Sequence, residues 1–161
     1  MRSLSVVEGV ALVSLVGALL AATVPVFLRE LQASRMVEAT SGLERLGARA
    51  LTLSEGQPPA TAFPDPAPLT PAEVPRGRRV VDPPGTWEHP TWRRLGFSMD
   101  RGHSYSFEFG MQATPERATF SARALGDLDG DGVLSTFELP GEVTAGGTPR
   151  LLPLQIVREV E

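Results

Sequence analysis

Hydrophobic and polar positions divide the chain into an apolar N-terminal part and a C-terminal part with alternating residues. No charged residue occurs between Gly9 and Leu28, and an apolar run of about 20 residues is long enough to cross a bilayer as a helix. Beyond Leu28, apolar residues recur at spacings that suit one helix face: Leu31, Leu43, Leu46, Ala50 and Leu53. The pattern predicts one long helix over residues 4–54, apolar all round in its first half and amphipathic in its second.

The helical pattern ends at Ser54-Glu55-Gly56, and a proline-rich segment follows over residues 56–86. Proline lacks the backbone N–H that a helix interior or a central strand requires. This segment is therefore predicted to be an extended connecting loop. A partner-binding role for the same segment is the alternative.

Alternation of apolar and polar residues in the C-terminal part predicts a small antiparallel sheet. Tyr105, Phe107 and Phe109 alternate with polar residues, and a second alternating run extends from Ala118 to Leu125. Such alternation is typical of strands that are buried on one face. The two runs are expected to form a hairpin that packs on the helix.

Strand signals also flank this hairpin in the sequence. Residues around Trp87 and Trp92 carry one such signal, and residues 151–157 are predicted to form a final strand. Pro153 cannot donate to a strand ladder, so the final strand must lie at an edge or contain a break.

A lone carboxylate, Glu8, stands at the front of the apolar run, behind a leader whose one cationic side chain is Arg2. Gly17 and Pro25 follow it within the run. This arrangement resembles the N-terminus of type IV pilins and the related pseudopilins, which have a Gly and a Pro at the same distances after their glutamate. In that family a short basic leader is removed just before a hydrophobic residue.

The resemblance implies a processing site and a set of assembly residues. Prepilin peptidase is expected to cut between Ser3 and Leu4, where the family more often has Gly and Phe. The new amine is typically methylated in the family. Glu8 would neutralise an N-terminal amine in the filament, and Gly17 and Pro25 are the other expected assembly residues.

The resemblance also implies an α+β fold of the type IV pilin kind, with a long N-terminal helix packed on a small antiparallel β-sheet. The expected segments are a leader (1–3), a transmembrane and filament-core helix (4–28), an amphipathic helix (29–55), the proline-rich loop (56–86) and a sheet domain (87–161). The subunit is expected to cross the bacterial inner membrane once before assembly, and to enter a cell-surface or periplasmic filament afterwards. Expected partners are homologous pilin subunits, prepilin peptidase, the inner-membrane assembly platform and the lipid bilayer.

Composition narrows the possible chemistry. The 161 residues contain no cysteine, so disulfides are excluded. Their net charge of −4 argues against nucleic-acid binding. The two histidines, His89 and His103, have no spaced Cys or His partner and are expected to be surface or packing residues. No nucleophile motif or phosphate-binding loop occurs, so the sequence does not predict an enzyme.

The segment 127–138 matches the calcium-loop pattern D-x-D-x-D-G-x5-E at every defining position. Calcium is a hard cation that takes about six to eight oxygen ligands. Alternate aspartates direct carboxylates to one centre, and the final glutamate can chelate with both oxygens. The predicted ligands are Asp127, Asp129, Asp131, the carbonyl of Val133, Ser135 through a water, and Glu138.

The surroundings of this loop differ from those of an EF-hand. The segment that enters it has strand alternation, and only the exit, from Ser135 to Leu139, could form a helical turn before Pro140. Some pilins and pseudopilins have calcium loops in this part of the sheet domain, and an ion here would replace a disulfide as a clamp. The alternative is a metal-free turn, because Asp and Gly are common between strands.

The sequence therefore predicts a structural subunit of a type IV pilus filament, major or minor, that polymerises through its N-terminal helix. A pseudopilin of a type II secretion system is one alternative, because its N-terminus has the same features. A membrane-anchored, calcium-binding periplasmic domain that never polymerises is the other. Cleavage by prepilin peptidase would argue against that second alternative.

Overall fold

A computed structural model describes residues 6–158, and within the first helix it describes side chains at positions 7, 10, 12–24 and from 36 onwards. The helices are α1 (Val6–Ser54), a short 3-10 helix (Pro59–Thr61) and α2 (Pro90–Leu95). The strands are β1 (Ala67–Thr70), β2 (Tyr105–Ala113), β3 (Arg117–Gly126), β4 (Ser135–Thr144), β5 (Arg150–Leu151) and β6 (Gln155–Arg158).

The chain divides into two compact units, Met1–Met36 and Val37–Glu161. The described part of the first unit is the helix α1 up to Met36. The second unit contains the remaining turns of α1, both short helices and all the strands named above.

The strands form one antiparallel sheet in the order β1-β2-β3-β4-β5, and β6 also pairs with β4. β2 and β3 form a hairpin in unbroken register, with Phe109 opposite Ala122. β3 and β4 form a second hairpin, whose last pair before the loop is Gly126 and Ser135. The hairpin predicted from the alternating residues is therefore confirmed.

The core of the second unit lies between one face of α1 and one face of the sheet. On the helix, Ala39, Leu43, Leu46 and Ala50 are buried, and their spacing of three or four residues places them on one stripe. The buried aromatic residues of the sheet are Tyr105, Phe107, Phe109, Phe120 and Phe137. Small helix residues such as Ala39 and Ala50 leave room for these aromatic rings between helix and sheet.

The predicted fold class is contradicted. The sequence predicts one long helix that spans a membrane with its first half and packs on the sheet with its second. In the part of the chain that the structure describes, no helix is long and apolar enough to cross a membrane. Only the part of α1 from Val37 onwards belongs to the unit that contains the sheet.

The predicted localisation is contradicted by the same finding. A single-pass inner-membrane protein requires residues 4–28 to form a transmembrane helix, and no described helix meets that requirement. The fold is therefore described by its six-stranded antiparallel sheet, the helical turns from Val37 that cover it, and two short helices.

The segment around Trp92 is helical, so the strand predicted there is wrong. The side chain of His89 caps the start of α2 by accepting a hydrogen bond from the backbone N–H two residues later, at 3.3 Å. Pro90 occupies the first helical position, where its fixed φ is favourable. Gly96, with φ of 60°, ends the helix in the left-handed conformation.

Two of the prolines lie at an edge of the sheet or at a break in its strands. Residues 56–86 contain the short 3-10 helix and β1 within the predicted loop, and β1, with Pro68, lies at an edge of the sheet. Pro153 lies between β5 and β6, so the predicted final strand contains the expected break.

Candidate functional site

The three aspartates of the predicted calcium loop lie between β3 and β4. Asp127 follows the last residue of β3 directly, and the strands on either side are held in register by the Gly126–Ser135 pair. The loop is also attached to the preceding segment, because the N–H of Gly77 donates to the carbonyl oxygen of Asp127 at 2.7 Å. A hairpin and a neighbouring segment therefore fix where the loop begins.

The carboxylates of Asp127, Asp129 and Asp131 converge, with one oxygen of each lying within 4.8 Å of the others. Asp127 is 1% exposed, whereas Asp129 and Asp131 are exposed. This places one carboxylate at the base of the cluster and two at its rim. The convergence predicted from the alternate aspartates is confirmed.

Backbone hydrogen bonds hold each carboxylate in place. Asp127 accepts from the N–H groups of Gly130 and Gly132, at 2.8 and 3.1 Å. Asp129 accepts from the N–H of Asp131 at 3.2 Å, and Asp131 accepts from that of Val133 at 2.6 Å. These bonds supply partial positive charge where like charges approach one another, so the loop is shaped without a side-chain cation.

The two glycines of the loop permit its sharp turns. Gly130 has φ of 84° and Gly132 has φ of 90°. Residues with a Cβ atom rarely adopt this left-handed region. The positive φ at position 132 therefore explains why the calcium-loop pattern requires a glycine there.

Glu138 lies apart from the aspartate cluster, so its predicted role as a chelating ligand is wrong. The chain continues after the loop as β4, and the helical turn that could form from Ser135 is absent. Glu138 stands opposite Arg123 in the ladder and accepts a hydrogen bond from the hydroxyl of Ser121 at 2.5 Å. A strand advances about 3.3 Å per residue, and this carries Glu138 away from the loop.

The other two predicted ligands lie at the end of the loop. Val133 is exposed, and its N–H is used by Asp131. Ser135 is buried and begins β4 opposite Gly126. Of the six predicted ligands, the structure therefore brings together the three aspartates.

The aspartate set fits a hard divalent cation. Three carboxylates supply three oxygens, or up to six when each binds with both, and calcium accepts about six to eight oxygen ligands at flexible geometry. Without Glu138 the remaining positions would fall to backbone carbonyls and water.

A cavity of about 710 Å³ adjoins the loop, and sequence reasoning gave no sign of it. Asp127 and Gly132 line one side, and Arg76 and Arg78 line another. Gly77 brings these two sides together, since a Cβ atom there would lie 3.3 Å from the carbonyl oxygen of Asp129. The segment that carries the arginines therefore packs directly against the acidic loop.

The predicted processing and assembly residues fall mostly outside the described residues. Ser3 and Leu4 lie outside them, and so do the side chains of Glu8 and Pro25, although α1 includes both positions. Gly17 is described within α1, and a Cβ atom added there would meet no heavy atom within 4 Å.

Around Gly17, α1 exposes many large apolar side chains. Val7 is 78% exposed and Val13 is 71% exposed. The apolar surface of α1 consists of Val7, Val10, Leu12, Val13, Leu15, Val16, Leu19, Leu20 and Val24. Monomeric proteins rarely expose so many apolar side chains together, and contiguous apolar patches mark surfaces that bind a partner.

His103 is a buried structural residue, as expected from its lack of metal-binding partners. Its Nδ1 lies 2.7 Å from the carbonyl oxygen of Tyr105, and its Nε2 lies 2.8 Å from Oδ2 of Asp82. The same oxygen of Asp82 accepts a hydrogen bond from Nε1 of Trp87 at 2.7 Å. This network fixes residues 82–87 against the start of β2, and it has no sequence motif.

Comparisons with known proteins add no relative to this description. No family model matches the chain, and no curated protein or solved structure shows significant similarity to it.

Proposed function

We propose that this protein is a structural subunit of a filament of the type IV pilin kind. In this proposal the apolar surface of α1 packs against the same surface of other copies, and the sheet unit remains outside the helix bundle. The family resemblance of the N-terminal sequence supports the proposal, and so does the exposure of that helix surface.

The observation that carries the proposal is the exposure of the apolar surface of α1. Burial of apolar area contributes about 25 cal/mol per Å², so a helix that leaves these side chains in water loses a large stabilising term. A helix that is apolar all round is normally buried, in a protein core or in a membrane. Copies of the same helix are a suitable environment because each brings the same apolar residues.

Gly17 gives this surface a place for close approach. The space above it in the single chain is open, and small residues let two helix backbones pack closely. Large side chains such as Val13 and Leu20 flank it along the helix. A bundle of copies can therefore combine close contact at Gly17 with interdigitated side chains around it.

A pseudopilin role uses the same helix surface and remains within this proposal. Cleavage between Ser3 and Leu4 and pairing of Glu8 with an N-terminal amine stay predictions of the family resemblance. We also propose that calcium binds Asp127, Asp129 and Asp131. In the sheet unit, such an ion would stabilise the loop between β3 and β4.

The proposal is tested by assembly of the full chain. Val13→Glu places a charge in the centre of the apolar surface, and we expect it to abolish filaments in electron micrographs. Glu44→Gln is the control, because Glu44 is an exposed residue of α1 in the sheet unit. Filaments of normal length and amount from Val13→Glu would contradict assembly through α1.

A further inference from the structure

Four arginines surround one groove beside α1 in the sheet unit, which we call the arginine groove. Arg45 lines two neighbouring cavities. One, of about 480 Å³, is also lined by Arg49, and the other, of about 310 Å³, by Arg79 and Arg101. Because Arg45 borders both, the two cavities form one positively charged surface.

Two of these arginines are held in place by neighbours. The guanidinium carbon of Arg45 lies 5.3 Å from the ring centroid of Phe97, a favourable cation–π distance. Arg79 donates to the carbonyl oxygen of Gly102 and pairs with Glu38 at 3.2 Å. A groove with fixed guanidinium groups loses less conformational entropy when a partner binds.

The groove keeps a net positive charge. Arg49 and Arg101 are exposed, and neither forms an ion pair with any acidic side chain that the structure describes. Asp100 also lines the groove and Glu38 pairs with Arg79, so two of the four positive charges are offset and two remain. The chain as a whole carries a net charge of −4, so this concentration of arginine is a local reversal of sign.

We propose that the arginine groove binds the calcium-free acidic loop of a second copy of this chain, through Asp129 and Asp131, so that calcium and the groove compete for these carboxylates. Both aspartates are exposed, and neither forms an ion pair within the part of the chain that is described. Arginine binds carboxylates with two parallel hydrogen bonds, and such pairs fix orientation as well as affinity. The inference rests on the proposed function and adds a second contact to the filament.

The contact joins two different surfaces of the same chain, so it is heterologous. A heterologous contact repeats from copy to copy and produces a ring or an open helical filament, whereas an isologous contact stops at a dimer. Contacts between groove and loop would thus repeat from one sheet unit to the next. Complementary charges also orient the incoming subunit before contact.

Charge-swap variants of the full chain test this pairing in a chelator, so that the loop keeps its free carboxylates. The Val13→Glu background removes packing of α1 and leaves the groove contact to be measured alone by sedimentation at low salt. Arg49→Glu with Arg101→Glu reverses the groove, and Asp129→Arg with Asp131→Arg reverses the loop. Arg94→Glu, an exposed arginine of α2 outside the groove, is the control for charge alone.

Each reversed pair should weaken self-association by at least about tenfold, and the chain with both pairs reversed should recover it. Arg94→Glu should change association by less than about threefold. If the groove variant lost self-association and the loop variant did not, the groove would bind something other than the loop, and the proposal would be overturned. Failure of the combined variant to recover self-association would overturn it too. Circular dichroism of every variant checks that it is folded. Loss of filaments in Val13→Glu tests the proposed function separately.

Discussion

Gly42 on α1 lies directly against the ring of Phe107 on β2. A Cβ atom at Gly42 would come within 2.7 Å of the ring carbons Cε1 and Cζ. The ring is fully buried and touches Phe97, with centroids 5.0 Å apart, so it has little room to move. The close approach of helix and sheet therefore depends on a residue without a side chain.

Gly42→Ala should destabilise the sheet unit. Overpacking a core costs about 1–3 kcal/mol, and the better helix propensity of alanine returns at most about 1 kcal/mol. Urea unfolding should show a lower midpoint for Gly42→Ala. Ser41→Ala, at the exposed neighbouring position, should stay within about 0.5 kcal/mol of the parent. A midpoint equal to that of the parent would show that Phe107 can move aside.

Glu142 should make the fold sensitive to acid. The hydrogen bonds from Arg150 and then from Arg117 lower the pKa of this carboxyl below its ordinary value of 4.5. A lowered pKa contributes stability above the ordinary value, and this stability is lost as the pH falls through the lowered pKa. The contribution is therefore present at pH 7 and absent well below pH 4.5.

Glu142→Gln tests this by removing the charge. We expect the variant to be less stable than the parent at pH 7, and the difference to shrink as the pH is lowered below the ordinary carboxyl value. Both arginines are largely exposed, so added salt should also reduce the difference. Glu55→Gln, at an exposed position, is the control. If the difference in stability did not depend on pH, it would come from packing and not from the charge of Glu142.

The acidic loop should give a calcium response that does not need Glu138. Ligand bound to the folded state adds about 2.7 kcal/mol at a hundredfold excess over Kd, so calcium should raise the melting temperature of the full chain and a chelator should lower it. Asp129→Ala should abolish the response. Glu138→Gln should keep it, because Glu138 lies on β4 beside Ser121. A parent protein whose melting temperature ignores both calcium and chelator has no such site.

Asp82 should be required for the packing of the segment that precedes α2. Asp82→Ala removes the acceptor shared by Nε2 of His103 and Nε1 of Trp87. Each buried group left without a partner costs about 1–3 kcal/mol, so thermal unfolding should show a clear loss. Asp65→Ala, at an exposed site, should have little effect. Equal stability of both variants would show that water replaces the carboxylate.

The sequence predicted correctly the strands and loops that depend on neighbouring residues in the chain. Alternation placed β2 and β3, and Pro153 marked the break between β5 and β6. The spacing of Asp127 and Asp129 predicted converging carboxylates, because both lie within one tight loop. Each of these predictions depends on residues that are close together in the chain.

Features that depend on tertiary partners were predicted poorly. Glu138 matched the calcium pattern, but pairing of β4 with β3 overrides the exit helix that would return it to the loop. The strand signal at Trp92 came from aromatic residues, whereas capping by His89 and Gly96 decides for a helix. The arginine groove combines α1 with Arg79 and residues 95–102, and no sequence spacing connects these segments.

The aromatic cluster beside α2 gives the sheet unit an optical signal of its own, distinct from that of α1, which extends through both units. Trp87 and Trp92 are the only two tryptophans of the chain, and their rings meet at 5.5 Å within the sheet unit. Tryptophan emission therefore reports melting of that unit, whereas far-UV ellipticity is dominated by the 49 residues of α1. Heating curves from the two signals would coincide only if both units melt together, so one sample without labels measures their cooperativity.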